Sequence, residues 1–429
     1  MKLNLSPVLL LILFTFSCSA QNLLESDKQI AAMQAAAIDS GSFSKEFKQR
    51  QAKIDSILNQ KINVPLPADA GGGYTHEVHK RNYATMRDAG CLFLITQDEK
   101  YAHLVRDILF EYADMYPTLP LHPKQKEQSP GKLFWQSLNE AVWLVYSIQG
   151  YDAVKSALSD AERKRIEEGV FIPMVSYLSE ESPQTFNKIH NHGTWAVAGV
   201  GMAGYALDKP EWVEKSLYGL DKSGTGGFMR QLDELFSPQG YYNEGPYYQR
   251  YALMPFVLFA KAIDVNEPDR KIFEHRDGIL LKAITTTIEL SYNELFFGIN
   301  DAIKDKGIDT IELVHGVTIA YNKTDEKGLL SIAKQQGQIL LTGDGLEVAQ
   351  AIDNNEQEPY PFVSKSFGDG LKGDEGALVV MRANQEAEHQ TLVFKATSQG
   401  LGHGHFDKLS WIFYNAGEEI VYDYGASRF

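Results

Sequence analysis

A chain of 429 residues with 44% hydrophobic composition can bury a large core, and two or three domains are the reasonable expectation. A net charge of −15 argues against nucleic acid or an anionic membrane surface as the main partner, though a local cluster of Arg, Lys, His and Asn would still take a polyanion. The cysteines are Cys18 and Cys91, and Cys18 sits in a leader, so no intramolecular disulfide is expected in the mature fold.

Residues 1–20 read as an export signal: Lys2, the apolar run Val8–Phe14, then Ser17-Cys-Ser-Ala20. The run is too short to span a bilayer, and no other stretch is apolar enough to do so. Cleavage after Ala20 releases a soluble protein, whereas lipidation of Cys18 makes an anchored lipoprotein. Either route takes the protein out of the cytoplasm, to the periplasm or the outer membrane of a bacterium.

Residues 27–60 have helical spacing with charged outer faces, and Val64–Gly73 breaks it with prolines and a triple glycine that reads as a turn. His76 and His79 share one helical face without the spacing of a zinc protease, so a solvated or substrate-facing patch is expected there. Helices follow at Ala84–Leu94, Tyr101–Met115, Leu133–Gln149 and Asp160–Leu178. Trp135, Gln136 and Asn139 combine an aromatic face with amide donors, as a sugar cleft does, while Trp143 has core spacing with Leu138 and Tyr146.

Asn187-Lys-Ile-His-Asn-His-Gly-Thr-Trp195 is the first dense polar stretch. It opens a run of Ala, Gly and Val through Tyr205 whose small residues let helices approach closely. Either Asn191 caps this helix with His190 and His192 as core histidines, or these groups form a site. The second stretch, Gly240–Tyr251, holds five tyrosines with Glu244 and Arg250. A purely structural tyrosine cluster would leave Arg250 without an obvious partner, which favours function. Helices at Phe228–Phe236, Ala283–Leu290 and Ile311–Ala320 continue the alternation of helix and connection, which suits a toroid of helical hairpins.

Near Pro359 the texture changes to short β-type runs: Gly376–Arg382, Gln390–Lys395, Leu409–Tyr414 and Glu419–Asp423, with a hairpin signal at Asn415-Ala-Gly-Glu418. About four strands precede Phe429, so a truncated sandwich is expected. The third polar stretch, Gly400–Trp411, carries His403, His405 and Asp407. His405 with Asp407 or Asp423 has the donor chemistry of a zinc site, although two ligands alone do not make one.

Taken together, the Asn-His-Gly-x-Trp, Glu-Gly-Pro-Tyr-Tyr-x-Arg-Tyr and Gly-His-Gly-His-Phe-Asp segments resemble the alginate lyases of polysaccharide lyase family 17, in the heparinase II/III-like group. The resemblance runs in the same order over most of residues 70–429. It implies a multidomain α+β protein: a lyase domain over 21–355 folded as an α/α toroid, an incomplete barrel of helical hairpins, and the start of an antiparallel β-sandwich over 356–429. It also implies exolytic β-elimination of alginate oligosaccharides that releases an unsaturated uronate. Asn191 and His192 then neutralise the substrate carboxylate, Tyr248 and His403 handle protons, and Arg250 and Arg428 hold substrate carboxylates beside Tyr251, Gln136 and Asn139. A structural zinc would use His405, Asp423 and a further histidine beyond Phe429; no organic cofactor is implied. A homodimer is compatible with the sequence.

These residue types suit elimination at a uronate. The C5 proton is acidic only when the adjacent carboxylate is neutralised, and preorganised donors on that group usually supply the largest catalytic effect. Three alternatives remain at this level. They are a lyase on another uronate polymer such as a glycosaminoglycan, a hydrolase using Glu244 with Asp301 or Asp407, and a non-catalytic glycan-binding lipoprotein.

Overall fold

The computed structural model describes residues 22–383, 390–398 and 402–426. The leader with Cys18, and Arg428, lie outside the described residues. The helices are α1 (Asp27–Ala37), α2 (Ser42–Asp55), α3 (Tyr74–Thr96), α4 (Glu99–Met115), α5 (Ser137–Val154), α6 (Asp160–Ile166), α7 (Ile172–Leu178) and α8 (Pro183–Phe186). They continue with α9 (Asn191–Ala206), α10 (Pro210–Tyr218), α11 (Gly227–Glu234), α12 (Pro246–Asn266) and α13 (His275–Glu289). The last three are α14 (Ile311–Thr324), α15 (Lys327–Gln336) and α16 (Gly343–Asp353). None is long and apolar enough to cross a membrane.

Local chemistry sets several of these boundaries. Ser26 with Gln29, and Ser159 with Glu162, form reciprocal capping boxes at the starts of α1 and α6. Pro183, Pro210 and Pro246 each occupy the first helical position, where a missing N–H costs nothing. Asp160–Leu178, expected as one helix, is two joined by a wide π turn at Glu167–Phe171. The helix expected from Leu133 begins only at Ser137, because the Glu140 carboxylate accepts from the Lys132 and Leu133 N–H groups and holds them in a bend. Glu140 also takes the Tyr116 hydroxyl at 2.6 Å, so its buried charge is dispersed over three donors.

The helices form a toroid. Around the ring α3 packs on α5, α5 on α9, α9 on α12 and α12 on α14, and the circuit closes through α16 and α1 back to α3. The small residues of α9 are what make this ring tight. A Cβ on Gly201 would lie 2.1 Å from the Phe259 ring of α12, and one on Gly199 would meet Leu144 of α5 at 3.2 Å. A larger residue at 201 would prise α12 from α9, with overpacking costs of roughly 1–3 kcal/mol.

Five strands follow the helices: β3 (Lys365–Gly368), β4 (Ala377–Arg382), β5 (Thr391–Ala396), β6 (Ser410–Asn415) and β7 (Glu418–Val421). They pair in sequence order as an antiparallel meander. The hairpin at Asn415–Glu418 turns through Ala416 and Gly417, both at positive φ. A small hairpin of the helical part, β1 (Ser291–Tyr292) and β2 (Leu295–Phe296), lies between α13 and α14. One sheet face, with Phe367, Leu378, Val380, Val393, Ile412 and Tyr414, forms a second core with Tyr241, Leu290, Tyr292, Phe297 and Ile299. Strand alternation sends Val379, Leu392, Phe394, Trp411 and Phe413 to the other face, where they remain partly or fully exposed.

Candidate active site

Three segments converge where the toroid meets the sheet. The first is the start of α9. His190, not Asn191, is its N-cap: the His190 Nδ1 accepts from the His192 N–H at 3.3 Å. Asn191 is thereby spared from capping, and its buried Oδ1 has no hydrogen-bond partner. Burial pushes His190 down to about 3 and His192 down to about 4, with Lys188 contributing to both and Lys126 to His192. Both rings are therefore neutral near pH 7. The adjacent cations make this a locally positive corner on an acidic protein.

The second is the start of α12. Gly245 at φ +89 turns the chain and Pro246 starts the helix. The five tyrosines divide by role. Tyr241 and Tyr242 are fully buried in core, and Tyr247 is nearly so, while Tyr248 and Tyr251 are only partly buried. Gln249 locks the turn, accepting from the Tyr242 N–H and donating to the Gly240 and Ala283 carbonyls.

The third is the turn at Asn300–Asp301 together with residues 402–407. The Tyr248 and His403 rings stack face to face, 3.7 Å between centroids and 9° between planes. The Asp301 carboxylate bridges both motif histidines, with Oδ2 2.8 Å from His403 Nδ1 and Oδ1 2.9 Å from His405 Nε2. Asn300, left-handed at φ 58, accepts from the buried Lys395 ammonium at 2.6 Å, which also reaches Asp407 at 2.6 Å.

One turn below Asn191 and Tyr248 the lumen of the toroid holds a cavity of about 380 Å³, lined by residues that include His76, Lys80, Tyr83, Asn139, Trp195, Tyr251 and Glu312. Beneath it, residues 22–25 and 340–342 fill the base, leaving a small space of about 110 Å³. Gln136 does not point to the cavity as a free donor; its Nε2 donates to Asn139 Oδ1 at 3.0 Å. Trp143 is core, edge-on to Tyr112 at 4.7 Å. His76 and His79 are not a solvated patch, although His76 does line the cavity. Both are buried against Phe134, and His79 Nδ1 pairs with the Tyr112 hydroxyl at 2.8 Å, because the face they share turns inward on α3.

Arg250 does have a partner, contrary to the expectation from sequence. Its guanidinium pairs with Glu312 of α14 at 2.5 Å and lies over the Tyr247 ring at 4.9 Å, while Nε keeps no partner. The carboxylates considered for hydrolysis are all engaged or enclosed. Glu244 is fully buried and raised above its usual range by that burial, with His403 the main opposing influence; Asp301 holds two histidines; Asp407 holds Lys395.

His405, Asp407 and Asp423 each bring a ligand atom within 4.8 Å of the others. With Nε2 committed to Asp301, His405 retains a buried Nδ1 without a hydrogen-bond partner. An orphaned imidazole nitrogen beside two carboxylates is a donor set that fits zinc. Asp407 is the ligand that sequence left as an alternative to Asp423. Asn300, Lys395 and Glu312 were missed as supporting residues, and Asp301 was considered only as a hydrolytic carboxylate. Only Lys395 left a signal, since strand alternation puts it on the same inward face as Thr391 and Val393.

The chain and its fold are similar to known proteins. An alginate lyase family model matches residues 30–297, and a heparinase II/III-like C-terminal model matches residues 368–429. The chain is 58% identical over 408 residues to an exo-oligoalginate lyase of Saccharophagus degradans, covering 95% of this chain and 55% of that protein. It is 54% identical over 387 residues to an alginate lyase of Stenotrophomonas maltophilia, covering 90% of this chain and 52% of that protein. The chain thus spans about half the length of the curated relatives it matches. Among solved structures, the heparan sulfate lyase HepC from Pedobacter heparinus shares the fold, with a TM-score of 0.55 at 15% identity over 92% of this chain and 60% of that one. The helical toroid, its C-terminal sheet and these matches together make the chain a member of the alginate lyase family.

Proposed function

We propose that this chain carries the carboxylate-binding and proton-transfer residues of a lyase that cleaves alginate oligosaccharides by β-elimination. The observation that carries this reading is the Tyr248–His403 stack, which joins a motif of the toroid to a motif of the sheet beside Asn191 and His192. In this reading Asn191 and His192 donate to the uronate carboxylate. Asn191 would donate through its Nδ2 amide, and its side chain is held buried at the start of α9. Burial, with the Lys188 and Lys126 charges, keeps His192 neutral, and an arriving carboxylate opposes those charges. Tyr248 and His403 then share the two proton movements, from C5 and to the departing O4, as adjacent acid and base. Tyr251 and Asn139 line the lumen that receives the sugar, with Gln136 holding Asn139 and Arg250 held over the tyrosines by Glu312. A lumen filled at its base supports entry of a chain end, and so exolytic cleavage.

His405, Asp423 and Asp407 would hold a zinc ion, which when bound would supply a fixed positive charge beside residues 402–407. Residues 21–355 act as the lyase domain and 356–429 as the start of a sandwich domain, with Arg428 as a further carboxylate ligand. The leader supports export to the periplasm, or an outer-membrane anchor at Cys18. The burial of Glu244 and the pairing of Asp301 with two histidines and of Asp407 with Lys395 count against hydrolysis, which needs two carboxylates facing the bond.

The test is incubation of the full chain with oligomannuronate, oligoguluronate and heparan fragments while following ultraviolet absorbance of the unsaturated product. Absorbance is expected with the alginate oligosaccharides. New reducing ends without absorbance would indicate hydrolysis and overturn the reading, and absorbance only with heparan fragments would move it to another uronate.

A further inference from the structure

We infer that Asp301 is a positioning residue that couples the His405 metal-ligand cluster to the His403–Tyr248 pair; its catalytic half rests on the lyase reading above. One carboxylate holds both imidazoles, through Oδ2 to His403 Nδ1 at 2.8 Å and through Oδ1 to His405 Nε2 at 2.9 Å. An ionised carboxylate only accepts, so each of those ring nitrogens carries its hydrogen. That assigns opposite tautomers to two histidines two residues apart. His403 keeps Nε2 as its basic nitrogen, with its ring face on Tyr248. His405 keeps Nδ1, the buried nitrogen without a partner that a metal ion requires. One side chain thus sets the basic nitrogen of a proton-transfer group and the ligating nitrogen of a metal site.

The backbone fixes Asp301 for this. Its N–H donates to the His403 carbonyl at 3.3 Å, and the preceding Asn300 accepts from Lys395 while donating to the Asn243 carbonyl beside Glu244. The turn is therefore tied to the start of α12 on one side and to β5 on the other.

Asp301→Asn tests the coupling. A carboxamide can accept from one ring and must donate to the other, so one tautomer has to switch while size is conserved. Nitrogen-15 spectra of histidine-labelled protein read the tautomers directly, and chelator competition reads zinc affinity. In the variant we expect one of His403 and His405 to change tautomer, kcat to fall about 10–100-fold with KM little changed, and zinc affinity to fall by a similar factor. Asp301→Glu retains both acceptors and should recover the wild-type tautomers, which also guards against a fold-wide effect of the first change. Unchanged tautomers in a folded Asp301→Asn protein overturn the inference, as do altered tautomers with kcat and zinc affinity both intact. If the wild-type chain yields no unsaturated product, the lyase reading fails while the tautomer and zinc readouts still decide the role of Asp301.

Discussion

The two ends of the toroid lumen bury similar kinds of residue and treat them oppositely. At the base, Asp88 is 3% exposed and receives Arg50, Arg87 and Lys53, while Lys261 pairs with Asp344 at 2.8 Å and Gln29 completes that pair. Each charge there meets an opposite charge or a donor. At the mouth, Asn191 Oδ1, Arg250 Nε and His405 Nδ1 are buried without partners, and Glu244 makes no well-aligned hydrogen bond. Unsatisfied buried polar groups cost about 1–3 kcal/mol each, so several together at the mouth leave bonding capacity that water or a ligand can take up. The base is built for stability and the mouth for a ligand.

The contrast can be broken from either end. The largest effect belongs to Tyr248→Phe, which removes one hydroxyl at the mouth. Turnover should fall by about 10²–10⁴-fold while oligosaccharide binding and thermal stability persist, as read by product absorbance and calorimetry. Near-normal turnover would remove Tyr248 from the proton path. Next is Asp88→Ala at the base, which strands two arginines. It should cost about 3–5 kcal/mol in chemical denaturation, with kcat of the surviving folded protein unchanged. A loss of kcat without a loss of stability there would erase the distinction between the two ends.

The smallest effect sharpens the comparison through pH. Burial, helped by Asp344, raises Glu25 to about 8 from 4.5, against the pull of Lys261 and the Gly343 N–H. The folded state therefore holds a proton that the unfolded chain releases. Its stabilising contribution is complete below about pH 4.5 and is lost as pH rises towards about 8. Glu25→Gln should flatten the fall in Tm between pH 5 and 8 that the parent shows, and an identical slope in both proteins would contradict the assignment.

Sequence carried the architecture further than the site. Periodicity and small residues were enough for α9, and alternation was enough for β4 to β7, because both depend on neighbours a few positions away. The tyrosine run of α12 hid a helix: only Pro246 marked its start, and packing across the ring outweighed weak propensity. His190 as a cap was hidden too, since imidazole is not among the side chains that normally take that position. The partners that give the site its geometry were beyond reach for a different reason. Glu312 lies 62 residues from Arg250, and Asp301 lies 102 from His403. Such pairings exist only once the ring has closed and the sheet has docked on it.

The outer face of the five-stranded sheet has a colloidal consequence. Met381, Trp411 and Ile420 stand exposed beside the half-buried Leu392, Phe394 and Phe413, with no cover among the described residues. A net charge of −15 keeps copies of the chain apart, but that repulsion reaches only about 8–10 Å at moderate ionic strength. Added salt shortens its reach and leaves the attraction between apolar plaques intact, while excluded salts such as sulfate strengthen that attraction. A segment covering this face would remove that attraction, so salt-induced clustering of these residues measures how completely the face is covered.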